Sequence, residues 1–143
     1  MTGTIKSLAL AISFTATALT LAPAAFAQDA TGAWKTGKAN VRIADCGGAL
    51  CANVVSLNEP NDPDTGKAKL DKHNSDASKK ARPIVGISLL SGMKAAEAGV
   101  WKGSVYNPED GKTYAASMTL KGSSLTVEGC AMRVFCKTQV WNR

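Results

Sequence analysis

The sequence predicts an all-β protein, an eight-stranded antiparallel up-and-down barrel with one long surface loop. After residue 28 the chain is a series of short segments in which apolar and polar residues alternate, separated by turns rich in Gly, Asn and Asp. No segment of this part shows the apolar stripe of an amphipathic helix. Eight such segments fit within one small domain, and closing them into a barrel removes the exposed strand edges.

The clearest strand is predicted at 112–121, where alternate residues from 114 to 120 form an apolar face. Asp110-Gly111, just before it, is typical of a tight hairpin turn, and its partner strand is predicted at 99–107. The other six strands are predicted, in chain order, at 32–36, 39–46, 50–57, 84–92, 124–130 and 134–142.

Residues 1–27 are expected to be a cleaved secretory signal peptide. Lys6 provides the positive charge, Leu8 to Leu21 is apolar and uncharged, and Ala25-Phe26-Ala27 has the small residues that signal peptidase requires. The apolar stretch is too short for a membrane anchor. We therefore expect residues 28–143 to form the single mature domain, in the periplasm or secreted, with no transmembrane segment.

The four cysteines form two close pairs, Cys46 with Cys51 and Cys130 with Cys136. Both spacings are longer than the C-x-x-C knuckles of zinc sites and redox enzymes, and exported proteins meet an oxidising compartment, so we expect disulfides. In an up-and-down barrel the two turns concerned lie at opposite ends, separated by a strand of about 27 Å. Only local pairing, Cys46–Cys51 and Cys130–Cys136, then satisfies disulfide geometry.

Residues 58–82 interrupt the strand pattern and predict a long polar surface loop, of a length that is often functional or mobile. The segment 62–66 is similar to the start of a calcium loop, but the later acidic ligands are missing, so we expect no metal.

The formal net charge is +6, and +5 without Lys6. The basic cluster 79–82 lacks interleaved aromatic residues, so we expect no nucleic-acid partner, while weak attraction to anionic lipid or cell-wall polymer stays open.

Catalytic groups are scarce. The single histidine, His73, lies in the polar loop, and no nucleophile or phosphate-binding motif is present. Asp45 is in phase with the apolar residues Val41 and Ile43 of its strand, so its carboxylate is expected either inside the barrel or at the rim in water. We expect a protein that is not an enzyme and uses no cofactor.

Five segments in order resemble domain-of-unknown-function family 2147, a family of small exported bacterial proteins: Asp45–Cys51, Asn58–Lys67, Pro83–Gly86, Tyr106–Tyr114 and Thr138–Arg143. The resemblance covers essentially the whole mature chain and implies a lipocalin-like β-barrel without an established activity. A looser resemblance to the lipocalin and avidin superfamily, through Gly32-Ala33-Trp34, implies that Arg143 on the last strand lies over the Trp34 indole and helps to close the barrel.

Two functions follow from this fold. In the first, the barrel binds a small hydrophobic or envelope-derived ligand, and the expected lining is Trp101, Val105, Tyr114, Met118, Leu125 and Asp45. In the second, the barrel is solid, and its outer surface and long loop bind a protein or polymer, as a protease inhibitor does. An interior cavity of roughly 300–1,000 Å³ would favour the first and a packed interior the second. The first is the function that we predict.

Overall fold

The computed structural model of the protein describes Gly3 and residues 29–143. The predicted signal peptide and its cleavage after residue 27 lie outside the described residues, Gly3 apart. Within the described part, no helix is long and apolar enough to cross a membrane.

In the described part of the chain, eight antiparallel strands form a closed barrel in which each strand pairs with the next along the chain and the last pairs with the first. This confirms the predicted fold class. The strands are β1 (Gly32–Lys35), β2 (Ala39–Asp45), β3 (Leu50–Leu57), β4 (Ser88–Glu97), β5 (Val100–Asn107), β6 (Lys112–Lys121), β7 (Ser124–Ala131) and β8 (Phe135–Asn142). A single turn of 3₁₀ helix covers Ala77–Lys79 in the long loop.

The strand β4 begins and ends later than the predicted 84–92. Ile84 and Ile87 are buried, but they belong to the end of the long loop, where Gly86 adopts a φ of 99° and turns the chain. Gly92, with a φ of 59°, lies at an irregularity in the pairing with β5, and the strand continues past it to Glu97. Buried apolar residues in a loop give the same sequence pattern as those in a strand, so the sequence predicted the start of β4 too early.

The two ends of the barrel differ in their connections. One end carries the short β2–β3, β4–β5 and β6–β7 turns, together with Asp29 and Arg143, and is called the closed end. The other end carries the β1–β2, β5–β6 and β7–β8 turns and the long loop between β3 and β4, and is called the open end. The core fills the closed end, where Trp34, Trp141 and Ile43 are at most 2% exposed.

Trp34 and Arg143 meet at the closed end. The Arg143 guanidinium carbon lies 4.4 Å from the centre of the Trp34 ring, and its Nη2 donates to the Asp29 carbonyl oxygen at 3.0 Å. The indole Nε1 of Trp34 donates to the Ala30 carbonyl oxygen at 2.8 Å, so its polar atom is satisfied in the core. The first and last strands are thus held together by an aromatic–cation stack.

The seam between β1 and β8 is short. Among the described residues only Lys35 and Asn142 face each other across it, because the last residue of β1 pairs with the last residue of β8. Within the described chain, residues 135–141 of β8 therefore have no partner strand on that side. On the other side β8 pairs with β7 along its whole length, and the pairs Val127–Gln139, Gly129–Lys137 and Ala131–Phe135 continue the inner row that starts at Leu125–Trp141.

Both disulfides are local, as predicted from the strand order. Cys46–Cys51 closes the β2–β3 hairpin at the closed end, with 5.9 Å between the Cα atoms. Cys130–Cys136 closes the β7–β8 hairpin at the open end, with 4.0 Å between the Cα atoms. Each bridge therefore braces one turn and leaves the seam between β1 and β8 without a covalent link.

Candidate functional site

The inner face of the barrel is accessible only in its open half. Met118 and Leu125, two of the predicted lining residues, are fully buried and belong to the packed core. Trp101, Val105 and Tyr114 are partly exposed. Trp101 faces Met118 near the start of β5, and Val105 faces Tyr114 towards the open end; both Trp101 and Val105 pack against the core. The predicted lining is therefore divided. Met118 and Leu125 are buried, whereas Val105 and Tyr114 are partly exposed and begin the surface that we call the accessible wall.

Asp45 lies in the second of its two expected places, at the rim in water. It is exposed at the end of β2, and its Oδ1 accepts a hydrogen bond from the Gly48 amide at 2.8 Å. The carboxylate thus stabilises the Gly47-Gly48 turn at the closed end. Since the accessible inner surface is at the opposite end, Asp45 does not belong to it.

The accessible wall continues from β5 and β6 onto β7 and β8. Gly129 lets Val105 pack closely against the β7 backbone, because a Cβ at position 129 would lie 2.8 Å from Val105 Cγ1. Phe135 and Lys137 follow on the inner row of β8 and are exposed, since β1 is too short to cover them. Nothing in the alternation of 134–142 shows this exposure, because it depends on how β1 and β8 are staggered.

Polar groups surround this wall. The Tyr114 hydroxyl donates to the Asp110 carboxylate, and this hydrogen bond raises the pKa of Tyr114. Gln139 Oε1 accepts a hydrogen bond from Trp141 Nε1 at 3.2 Å, so a polar pair lies where the open half of the barrel meets the buried core. Lys137 forms no ion pair with any described residue. Its ammonium group is therefore free to meet an anion.

An ion pair crosses the open end. Lys38 in the β1–β2 turn binds Glu109 in the β5–β6 turn. These two turns are four strands apart around the ring in either direction, so the pair bridges the mouth rather than two neighbours. It separates the long loop on one side from the β7–β8 hairpin on the other.

The long loop is anchored by a buried carboxylate that sequence reasoning missed. Asp71 is 0% exposed and accepts hydrogen bonds from Tyr106 Oη at 2.6 Å, Asn74 Nδ2 at 2.9 Å and Arg82 Nε at 2.9 Å. Burial by itself would raise the pKa of Asp71, but these three hydrogen bonds and the Arg82 charge together lower it. Burial and the hydrogen bond to Asp71 raise the pKa of Tyr106.

This anchor holds the loop against the outside of the barrel. Tyr106 follows the inward Val105 on β5, so its ring faces outwards, under the loop. Gly111 in the β5–β6 turn is equally close to the loop, because a Cβ there would lie 1.7 Å from the His73 carbonyl oxygen. Two isolated β-bridges, Asn61–Ala68 and Leu70–Pro83, order the rest of the loop. The predicted surface loop is thus tied down at several points.

Two surface cavities of about 310 Å³ each lie at the long loop, outside the barrel. The first is a polar cleft between the loop and the outer faces of β4, β5 and β6. Its lining includes Lys79, Arg82, Ser88, Ser91, Tyr106 and Thr113. The second lies within the loop itself and is lined by residues between 62 and 72. Neither is the interior cavity that the sequence interpretation expected.

Among the residues that the structure describes, one group of side chains has the spacing of metal ligands. The ligand atoms of Glu128, Cys130 and Cys136 lie within 4.8 Å of one another. Because the two sulfur atoms are joined in a disulfide, only one carboxylate could bind an ion, and this group is not a metal centre.

The barrel, its local disulfides and its ordered loop can now be compared with known proteins. Residues 32–143 match the model of the family described as "Uncharacterized protein conserved in bacteria (DUF2147)". The chain belongs to the DUF2147 family. No curated protein matches it.

A solved structure supports the fold of this DUF2147 protein. The structure is described as protein HP1028 from the human pathogen Helicobacter pylori, a member of the lipocalin family, and it is similar to this chain with a TM-score of 0.68. The two sequences are 26% identical, and the match covers 80% of this chain and 82% of HP1028. The likeness includes the barrel as a whole, so the DUF2147 chain has a lipocalin-like fold.

Proposed function

We propose that this DUF2147 protein is a non-enzymatic binding protein that holds a small amphipathic ligand in the open half of its barrel. The apolar part of the ligand would lie on Val105, Tyr114 and Phe135, and its anionic group would meet Lys137. The observation that carries the proposal is the exposed inner face at the open end of a barrel whose closed half is packed.

The exposed inner wall favours a ligand with an apolar part. Phe135 is 71% exposed although it lies on the same row as the buried Leu125 and Trp141. Leaving an aromatic side chain in water loses the free energy that burial would provide, about 1.5–3 kcal/mol for a fully buried side chain of this size. A ligand that covers Phe135 and Val105 would recover part of that free energy.

The charge on this wall favours an anionic group at one end of the ligand. Lys137 lies two residues from Phe135 on the same inner row and has no carboxylate partner among the described residues. A carboxylate or phosphate placed beside Lys137 would form a charge-assisted hydrogen bond. The class of ligand is therefore an apolar chain or ring with one anionic group, as in envelope lipids and their fragments.

Two disulfides support a site of action outside the cytoplasm, because structural disulfides form and persist in oxidising compartments. The periplasm or the extracellular medium would supply both the oxidant and the ligand class. The predicted signal peptide would be the route of export.

Titration with a fluorescent fatty acid and with its methyl ester tests the proposal. We expect saturable binding of the acid and weaker binding of the ester, since only the acid can pair with Lys137. Lys137→Gln should weaken acid binding by about tenfold, since hydrogen bonds to charged groups contribute roughly 1.5–3 kcal/mol. The same substitution should leave ester binding unchanged.

The matched control is Lys121→Gln, an exposed lysine at the closed end of β6. It changes the net charge by the same amount but should leave both titrations as in the unmodified protein. Equal affinity of the protein for acid and ester, or an equal effect of the two substitutions, would contradict the proposed site.

A second candidate function uses the polar cleft under the long loop. Lys79 and Arg82 line it together with Asp76 and several hydroxyl groups, a set of hydrogen-bond donors and acceptors that suits a polar polymer of the envelope. Such a ligand would bind outside the barrel, so its affinity would not change in the Lys137→Gln protein. The same variant therefore separates the two functions.

A further inference from the structure

We infer that the tip of the β7–β8 hairpin, residues 132–135, docks on an anionic phospholipid surface. Three of its four side chains are large and apolar, and among the described residues they are the most exposed large apolar side chains: Met132 is 81% exposed, Val134 75% and Phe135 71%. The fourth, Arg133, is exposed between them. Apolar side chains interleaved with cations are the composition that binds the boundary between headgroups and acyl chains.

The backbone of the tip shows that these side chains occupy an unfavourable turn. Met132 and Arg133 have φ angles of 52° and 60°, and the Val134 amide donates to the Ala131 carbonyl oxygen at 3.2 Å. Two consecutive left-handed residues define a type I′ turn, for which Asn-Gly is the preferred sequence. The chain has Met and Arg at these two positions instead, and the left-handed backbone conformation is energetically unfavourable for such residues. Strain at an exposed position points to a role for the side chains themselves.

The tip is also held rigidly. Cys130–Cys136 joins the two strands directly below it, with 4.0 Å between the Cα atoms. Because the hairpin is already ordered, less conformational entropy would be lost when the tip meets a surface. Arg133 and the nearby Lys137 form no ion pairs within the described chain, so both charges are available to anionic headgroups.

The distribution of side chains favours a lipid surface over a second copy of the chain. A second copy would pair with the free edge of β8, but the middle of that edge carries Lys137, Thr138 and Gln139, and a lysine in an edge strand opposes such pairing. The apolar side chains are concentrated at the tip, beyond this edge. The net charge of +6 also complements an anionic surface. The inference shares Phe135 and Lys137 with the proposed ligand site, so it is tested without a barrel ligand and with a variant that keeps both residues.

The experiment is co-sedimentation of the protein with vesicles, without any barrel ligand present. One set of vesicles contains phosphatidylethanolamine and phosphatidylglycerol, and the other contains phosphatidylcholine only. The test variant is Met132→Asn/Arg133→Gly, which installs the preferred turn sequence and should therefore fold at least as well as the unmodified protein. We expect it to reduce partitioning onto the anionic vesicles by about tenfold or more, because it removes one apolar side chain and one cation.

A tryptophan placed in the tip locates the contact directly. Val134→Trp should be quenched by brominated acyl chains in the anionic vesicles. The matched control, Val55→Trp, replaces an exposed valine on β3 and should not be quenched.

The inference would be overturned by equal sedimentation with the two kinds of vesicle, or by unchanged sedimentation of the Met132→Asn/Arg133→Gly protein. Quenching of both tryptophans alike would also overturn it. A concentration-dependent dimer in analytical ultracentrifugation that is lost in the same variant, with no vesicle binding, would show that a second copy covers the tip instead.

Discussion

The two ends of the barrel use similar residues in opposite ways. At the closed end, Trp34 and Trp141 are buried, and Arg143 covers the Trp34 indole. At the open end, Phe135 lies on the same inner row as Trp141 but is exposed, and Lys137 beside it has no partner among the described residues. The aromatic and cationic groups stabilise the fold at one end and remain available to a ligand at the other.

The difference comes from the stagger between β1 and β8. Lys35, the last residue of β1, pairs with Asn142 at the closed end of β8, so residues 135–141 of β8 have no partner strand on that side within the described chain. A longer β1 would complete the wall and bury that row. The inner face at the open end is therefore exposed because β1 does not extend along β8, and not because the barrel has a larger diameter.

The largest expected effect is at the closed end. Trp34→Ala should lower the free energy of unfolding by about 3–5 kcal/mol, the usual cost of removing a fully buried aromatic side chain. Phe135→Ala at the open end should change it by less than about 0.5 kcal/mol, as for other exposed positions. Urea denaturation of the two variants measures both values, and similar values would break the comparison.

Urea denaturation also tests whether Arg143 stabilises the closed end. A double-mutant cycle of Trp34→Ala with Arg143→Ala should show a coupling of about 0.5–2 kcal/mol, because each residue contacts the other. Strictly additive effects would mean that the stack does not help to close the barrel.

A smaller effect is expected where the long loop joins the open end. Asp71→Asn should lower the free energy of unfolding by about 2–3 kcal/mol at pH 7, since hydrogen bonds to a charged group are lost. The matched control, Asp64→Asn, changes an exposed aspartate of the same loop and should have little effect. Urea denaturation again provides the values.

The pH dependence of this effect has a definite sign. The folded-state pKa of Asp71 lies below its unfolded value, so the carboxylate stabilises the fold above about pH 4 and loses this contribution as the pH falls through the folded-state pKa. The difference between the unmodified protein and Asp71→Asn should therefore shrink below pH 4. A difference that stays constant down to pH 2 would contradict the assignment.

The expected effects of the two disulfides, one at each end, are slightly smaller than that of Asp71→Asn. Replacing Cys46 and Cys51 by alanine, or Cys130 and Cys136, should lower the free energy of unfolding by about 2 kcal/mol, because each bridge closes a short loop. Both variants should still fold, and thermal denaturation should show lower melting temperatures. Loss of folding in either variant would mean that a bridge does more than brace its own hairpin.

Local patterns were sufficient for most of the fold. Alternation along 112–121 and the Asp110-Gly111 turn predicted β5, β6 and the hairpin between them, and the strand order, which places the two cysteine pairs at opposite ends of the barrel, predicted local disulfides. β4 was displaced because Ile84 and Ile87 are buried without being in a strand. The stack of Arg143 on Trp34 came from a family resemblance, since no local pattern joins residues so far apart in sequence.

The accessible wall and the loop anchor were harder to predict for a physical reason. Asp71 is bound by Tyr106, which is 35 residues away, and nothing around either residue indicates the other. Lys137 and Phe135 are accessible because of the stagger between β1 and β8, a property of ring closure that neither strand carries alone. The residues that define the candidate site are thus the ones whose surroundings depend on distant parts of the chain.

The bridges within the long loop have a consequence for proteolysis. Asn61–Ala68 and Leu70–Pro83 tie the loop to itself at two places, and the Asp71 anchor holds it against the barrel, so its lysines and arginines do not lie in a free extended chain. A protease binds its substrate as an extended chain and must therefore wait for the loop to open. The rate of tryptic cleavage in this loop then measures how often the Asp71 anchor releases it from the barrel.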